Sequence, residues 1–143
     1  MGTNITNDAV TALKQYTACD ISDALLRLGV PGAGFLPDLE PCSSSRSDTG
    51  ITIAPASTVL FAPKGVALDG GWPENNMPPH ANWSDISEPG TIAVLWQPDG
   101  QKNAVCGGIM GLRMKVLGVK GIVAVGRVRD VDELRSTGLP VSA

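Results

Sequence analysis

The run 106–130 most constrains the fold of this chain, because it joins a glycine pair, an apolar helix and a buried strand without a linker. Gly107 and Gly108 open a helical pattern that ends at Gly118, and a short apolar strand follows over residues 121–126. A buried strand that directly follows an apolar helix is typical of an α/β unit. The run therefore predicts a crevice at the carboxyl end of that strand, where ligands collect in open α/β sheets.

The rest of the chain alternates between helical and extended patterns. Helical patterns cover residues 7–16, 17–29 and 131–138, and extended patterns cover 50–62, 91–96 and 139–143. Pro55 interrupts the first extended pattern, so we expect one irregular strand or two short ones there. The continuous apolar run 91–96 predicts a strand buried on both faces. The order of elements predicts an α/β fold with parallel strands joined by right-handed crossovers.

Length and charge limit the class of protein. At 143 residues, the chain is expected to form a single domain over 1–143. Its net charge of −3 gives no basic surface for nucleic acid, and no apolar run is long enough to cross a membrane. The three cysteines have no zinc-type spacing, which favours reduced thiols in a cytoplasmic protein.

The predicted crevice contains residues suited to binding an anion and a cation. A helix amino end carries unpaired N–H groups and the positive end of the helix dipole, so it attracts a carboxylate. The strand 121–126 leads into Arg127, Arg129 and Asp130, which places an arginine and a metal-capable aspartate at the same edge. Three plainer interpretations remain: a tight turn at the glycine pair, a surface ion pair for Arg129, and a helix-capping pair of Asp130 with Glu133.

The long loop 63–89 is the least informative segment. A loop of this length in a small domain is usually functional or mobile. It contains His80, the only histidine, which is interpreted as a surface residue because no partner spacing supports a catalytic role. Trp72 and Trp83 are expected either to close over a pocket or to be buried against a neighbouring subunit.

These motifs together resemble the RraA-like family. Twenty residues separate Gly108 from Arg129-Asp130, and further similarity extends over residues 17–29, 54–59 and 118–134. The family includes divalent-metal 4-hydroxy-4-methyl-2-oxoglutarate aldolases, which also decarboxylate oxaloacetate, and regulators of ribonuclease E activity. The sequence of residues 107–130 looks most like that of the fungal branch of the family.

The resemblance implies a layered α/β fold with a swivelling β/β/α core, assembled as homotrimers or homohexamers with sites between subunits. It implies a carbon–carbon lyase, an aldolase or decarboxylase, acting on a small pyruvyl-type α-keto acid. It further implies that Mg²⁺ or Mn²⁺ is held through Asp130 and that Arg129 contacts the substrate. It also implies that backbone N–H groups of the turn bind the pyruvyl carboxylate, at Gly107, Gly108, Ile109 and Met110.

Two departures from the family pattern bear on catalysis. The aldolases usually carry an acid where Gly108 stands, and family members continue beyond the position of Ala143 with further strands. We therefore expect a fragment or a C-terminally shortened paralogue. Two alternatives to a lyase follow: a non-catalytic oligomeric binding or regulatory protein on the same fold, and a shortened paralogue recruited to another reaction in secondary metabolism.

Overall fold

A four-stranded parallel sheet forms the centre of the protein. The computed structural model describes residues 5–42, 50–65 and 75–143. The strands are β1 (Ala56–Leu60), β2 (Ile92–Trp96), β3 (Gly121–Val125) and β4 (Val141–Ser142), and they lie side by side in chain order. Every pairing between them is parallel. The α/β prediction is thus confirmed, and Pro55 directly precedes one short strand because its ring cannot donate to a ladder.

Four helices accompany the sheet. They are α1 (Asn7–Leu13), α2 (Ala18–Arg27), α3 (Gly108–Val116) and α4 (Val131–Thr137), with short 3₁₀ turns at Pro31–Gly34 and Trp83–Ile86. The expected capping box at the start of α2 is present, since Thr17 and Asp20 each satisfy the other's backbone N–H. Gly138 ends α4 in the left-handed conformation, as expected of a glycine that stops a helix.

One face of the sheet is buried under α3 and α4. Successive side chains of a strand point to opposite faces, so residues in register share a face. The buried residues of that face pack with Met114 of α3 and Leu134 of α4, both fully buried. They are Ala93, Leu95, Ile122, Ala124 and Val141.

The other face of the sheet is only partly covered. Ile92 and Val94 are half-buried, and Trp96 at the end of β2 is 48% exposed. The prediction of a strand buried on both faces is therefore wrong for β2. A continuous apolar run shows that both faces of a strand are apolar, but it does not show which face a helix covers.

Trp83 belongs to the core of this chain. It is 9% exposed and meets Phe61 edge-on, with ring centroids 5.7 Å apart. The expectation that it covers a pocket or a neighbouring subunit is wrong, because the 3₁₀ turn 83–86 turns its ring inward. Trp72, the other residue of that expectation, lies outside the described residues.

The amino-terminal helices differ from the rest of the protein in having no buried residue. The main packing of α2 is on the 3₁₀ turn that follows it. Beyond that turn, residues 40–42 run antiparallel to β4, with backbone hydrogen bonds between Glu40 and Ala143 in both directions. Across the described ranges, no helix has both the length and the apolar character needed to span a membrane.

Candidate functional site

The site residues meet where β2 and β3 end. The N–H of Val105 donates to the carbonyl of Arg127 at 2.8 Å, and the N–H of Arg129 donates to the carbonyl of Cys106 at 3.0 Å. Cys106 and Val128 therefore pair as a short parallel extension beyond β3. This pairing brings the start of α3 beside Arg129 and Asp130, as the sequence predicts for residues at one edge of a sheet.

The glycine pair allows the loop after β3 to approach α3 closely. Gly107 has an extended backbone, with a φ of −139°, so it forms no left-handed turn. A Cβ at Gly107 would lie 2.7 Å from Asp130 Oδ2, and a Cβ at Gly108 would lie 2.5 Å from Glu133 Cβ. Both distances are shorter than the non-bonded contacts that Cβ atoms make in proteins. The tight-turn interpretation is therefore wrong, and the glycines are needed for this contact with residues 129–133.

The two sides of α3 are unlike in composition. Its inner face, Gly108, Gly111 and Met114, is buried against α4 and the core. Its outer face, Ile109, Leu112 and Val116, is 85%, 54% and 71% exposed. The aliphatic stripe of the helix pattern thus faces away from the chain's own core.

The amino end of α3 offers unpaired donors to a ligand. Within the described residues, none of the N–H groups of residues 107–110 donates a hydrogen bond. The cavity beside them has a volume of about 360 Å³ and is lined by Gly107, Met110 and Arg129, together with residues 103–106. A carboxylate placed here would lie against Gly107 and Met110, at the positive end of the helix dipole and beside a guanidinium. The predicted site residues Gly108, Ile109 and Asp130 do not line this cavity.

Asp130 occupies an unusual backbone conformation. Its φ of 54° and ψ of 49° are left-handed, and its side chain caps no N–H group of α4. The capping interpretation for Asp130 and Glu133 is therefore wrong. Asp130 Oδ2 lies 3.5 Å from Arg129 Nε, and both side chains are substantially exposed. The ion pair considered for Arg129 thus exists, and its partner is the proposed metal ligand itself.

The donor chemistry at this point fits a hard divalent cation that keeps most of its water. Asp130 supplies oxygen donors at the glycine pair, and Glu133 packs its Cβ and Cγ against Gly108. In the ranges 5–42, 50–65 and 75–143, no three His, Cys, Asp or Glu side chains converge as a metal cage. Mg²⁺ is commonly held by one or two carboxylates and several waters, so this sparse set is compatible with it.

The thiol at the start of α3 does not act as a nucleophile at neutral pH. Cys106 is 2% exposed, and burial raises the pKa of its thiol to about 11, with the Cys42 thiol adding to the rise. The reactive form of a cysteine is the thiolate, which is scarce far below the pKa. Cys106 is therefore a packing residue beneath the site.

Gln97 is a further polar residue of this edge, directly after β2, and it is not among the predicted site residues. It is buried, its Nε2 donates to the carbonyl of Asn103, and its Oε1 accepts from the N–H of Arg127 at 3.0 Å. It thereby ties the loop after β2 to the loop after β3. The sequence feature that could have identified Gln97 is its position as a polar residue directly after a predicted buried strand. His80, by contrast, is exposed and does not line the cavity at α3.

Solved structures share this fold. An uncharacterized protein from Pseudomonas syringae aligns with a TM-score of 0.72 and 23% identity, over 99% of this chain and 58% of its own. Streptomyces coelicolor RraAS2, described as an unusual member of the RNase ES inhibitor RraA family, aligns with a TM-score of 0.71 and 22% identity, over 98% and 64%. A protein described among novel cellulases from gut-associated microbes aligns with a TM-score of 0.69 and 16% identity, over 99% and 60%.

The chain spans less than two thirds of the length of each of these proteins. At such identities the likeness shows the fold alone. No protein with a curated description matches this sequence. The family model described as RraA-like, Aldolase/RraA, matches residues 18–143, which include every strand and the whole of the site. The chain therefore belongs to the RraA-like family.

Proposed function

We propose that this chain is a divalent-metal-dependent lyase that acts on pyruvyl-type α-keto acids by retro-aldol cleavage or by decarboxylation of oxaloacetate. One observation carries the proposal: the amino end of α3, whose first N–H groups have no partner among the described residues, lines a cavity together with Arg129, and the carboxylate of Asp130 lies next to that arginine. This set of groups suits a substrate that carries a carboxylate next to a polarisable carbonyl.

The chain's own residues bind and orient such a substrate. The N–H groups of residues 107–110 receive the carboxylate, and the helix dipole favours its negative charge. Arg129 presents a planar and permanently charged fork to a carboxylate or keto oxygen. The backbone on both sides of the site is fixed by the hydrogen bonds of residues 105–106 with residues 127–129, so the N–H donors need little ordering when the substrate binds.

Both reactions generate negative charge on a pyruvate enolate. Arg129 lies where it can stabilise that charge, because it lines the cavity at the carboxylate end of the substrate. Mg²⁺ or Mn²⁺, held through Asp130, would supply Lewis-acid polarisation of the keto oxygen when bound. The exposure of Asp130 leaves room for the water that such an ion retains.

We further propose that the site lies between subunits of a homo-oligomer, a trimer or a hexamer. The outer face of α3 begins at Ile109, inside the proposed carboxylate turn, and its three aliphatic residues are exposed. A contiguous aliphatic face next to a polar site marks a protein interface. A second copy that covers this face would also shield the cavity from water.

Gly108 supports the alternative of a non-catalytic binding or regulatory protein. The aldolases of the family usually carry an acid at this position, and here Glu133 Cβ occupies the space that any side chain would need. A protein of this kind binds the keto acid without turning it over. Pyruvate release from oxaloacetate, measured with Mg²⁺, with Mn²⁺ and with a chelator, separates the two possibilities.

A matched pair of variants tests the carboxylate turn. Ile109→Pro removes one N–H donor in the first turn of α3, where proline is tolerated, and Ile109→Ala shortens the same exposed side chain but keeps the donor. Calorimetry with oxalate and Mg²⁺ should show roughly tenfold weaker binding for Ile109→Pro than for Ile109→Ala, as expected for one hydrogen bond to a charged group. Equal affinities of the two variants would show that the carboxylate does not bind at this turn.

The metal assignment is tested with Asp130→Asn. Loss of the full negative charge should abolish stabilisation by Mg²⁺ or Mn²⁺, which otherwise grows as RT ln(1 + [L]/Kd) and reaches about 2.7 kcal/mol at a hundredfold excess over Kd. Thermal melting with a chelator and with each metal measures this shift. If Asp130→Asn retains the wild-type shift, the cation binds at another position.

A further inference from the structure

A second arginine stands beside the proposed site. Residues 127–129 run extended against Val105 and Cys106, so alternate side chains point to opposite sides. Val128 packs against the core, whereas Arg127 and Arg129 are both exposed. The two arginines therefore leave the same side of the backbone, and their Cα atoms are about 6.6 Å apart at the rise of extended chain.

Each arginine lines a different cavity. Arg129 lines the cavity at the amino end of α3, and Arg127 lines a neighbouring cavity of about 480 Å³. The second cavity also contains Lys102 and a single carboxylate, that of Asp99. The other residues that line it are Gln97, Pro98, Gly100, Gln101, Val125 and Gly126.

The backbone around Arg127 is held in place. Gln97 accepts from its N–H at 3.0 Å, and a Cβ at Gly126 would lie 2.6 Å from Gln97 Cβ, so the preceding glycine is required for this contact. In the described ranges, Arg127 and Lys102 have no carboxylate within ion-pair distance, whereas Arg129 has Asp130. Two cations thus share one cavity with one acid and remain available to a ligand.

We propose that Arg127 and Lys102 form a second anion subsite, which takes the carboxylate at the far end of a keto acid whose first carboxylate lies at α3. This inference rests on the proposed function and assigns Arg127 as the residue that selects a dicarboxylate over a monocarboxylate. The planar guanidinium of Arg127 suits bidentate pairing with a carboxylate, and Lys102 adds charge.

The test compares two 2-oxo acids that differ only at the far end. Calorimetry with Mg²⁺ measures the affinity of 2-oxoglutarate, which has a distal carboxylate, and of 2-oxopentanoate, which has a methyl group there. The wild-type protein should bind 2-oxoglutarate with roughly tenfold higher affinity, as expected for one additional charge-assisted hydrogen bond. Arg127→Gln should remove this preference and leave the affinity for 2-oxopentanoate unchanged.

Lys120→Gln provides the matched control, because it removes one exposed positive charge at the opposite end of the same strand. This variant should keep the preference. Two results would contradict the second subsite: equal binding of the two acids by the wild-type protein, or a preference that remains in Arg127→Gln. Neither result would contradict carboxylate binding at the turn 107–110. Failure of the wild-type protein to bind oxalate and both 2-oxo acids overturns the proposed function together with this inference.

Discussion

The two faces of α3 differ in both packing and composition. The inner face approaches α4 so closely that a Cβ added at Gly108 or at Gly111 would lie 2.5 Å from a side-chain atom of α4. The outer face is aliphatic and exposed. Close packing of a chain on itself favours small residues, whereas an aliphatic stripe in water needs another surface. The inner face thus brings α3 against residues 130–134, whereas the outer face is the surface at which we propose that a second subunit binds.

The largest expected effect comes from filling the inner face. Gly108→Ala places a carbon 2.5 Å from Glu133 Cβ, which is fixed to the backbone of α4, so the two helices must move apart. We expect a loss of about 1–3 kcal/mol in the free energy of unfolding, the usual cost of overpacking. Urea denaturation followed by circular dichroism, at matched protein concentrations, measures this loss.

Gly111→Ala is the control for that experiment. Its added carbon would lie 2.5 Å from Leu134 Cδ2, the far end of a side chain that can rotate. The loss should therefore be smaller than for Gly108→Ala, and alanine's higher helix propensity of about 1 kcal/mol offsets part of it. Equal losses would mean that the distance between α3 and α4 is not set at Gly108.

The outer face is tested by adding a charge. Leu112→Asp should reduce the molar mass measured by light scattering at micromolar concentration, because a carboxylate buried in an interface is not compensated. The helical content should remain, since an exposed substitution changes the stability of a folded subunit by about 0.5 kcal/mol or less. Lys120→Asp, a charge reversal outside the outer face, should leave the mass unchanged. A monomeric wild-type protein would contradict the proposed interface.

The local features of this chain were predictable from its sequence. The capping box of Thr17 and Asp20 depends on residues three apart, and the parallel sheet follows from the order of elements. The meeting of the glycine pair with Arg129 was likewise expected, because both flank a strand at one sheet edge. In each case the deciding contact is local or follows from topology.

The orientation of α3 was not predictable in this way. Ile109, Leu112 and Val116 form the kind of stripe that usually marks the buried side of a helix. The buried side of α3 is instead set by the close contacts of its glycines with Glu133 and Leu134. Both residues belong to α4, which is distant from α3 in sequence. The bridging role of Gln97 likewise depends on a contact between residues distant in sequence, since its partner Arg127 lies 30 positions away.

The smallest expected effect concerns Asp130, whose left-handed backbone lies at the start of α4. The left-handed conformation costs an ordinary residue about 1–2 kcal/mol, whereas glycine adopts it freely and asparagine tolerates it. With a chelator present, Asp130→Asn and Asp130→Gly should therefore unfold in urea close to wild type. Asp130→Ala should lose about 1 kcal/mol through backbone strain, since the aspartate makes no capping hydrogen bond that alanine could remove. If Asp130→Ala were as stable as Asp130→Gly, the packing of α4 against the glycine pair would not hold residue 130 in this conformation. The carboxylate would then owe its position to its ion pair with Arg129 alone.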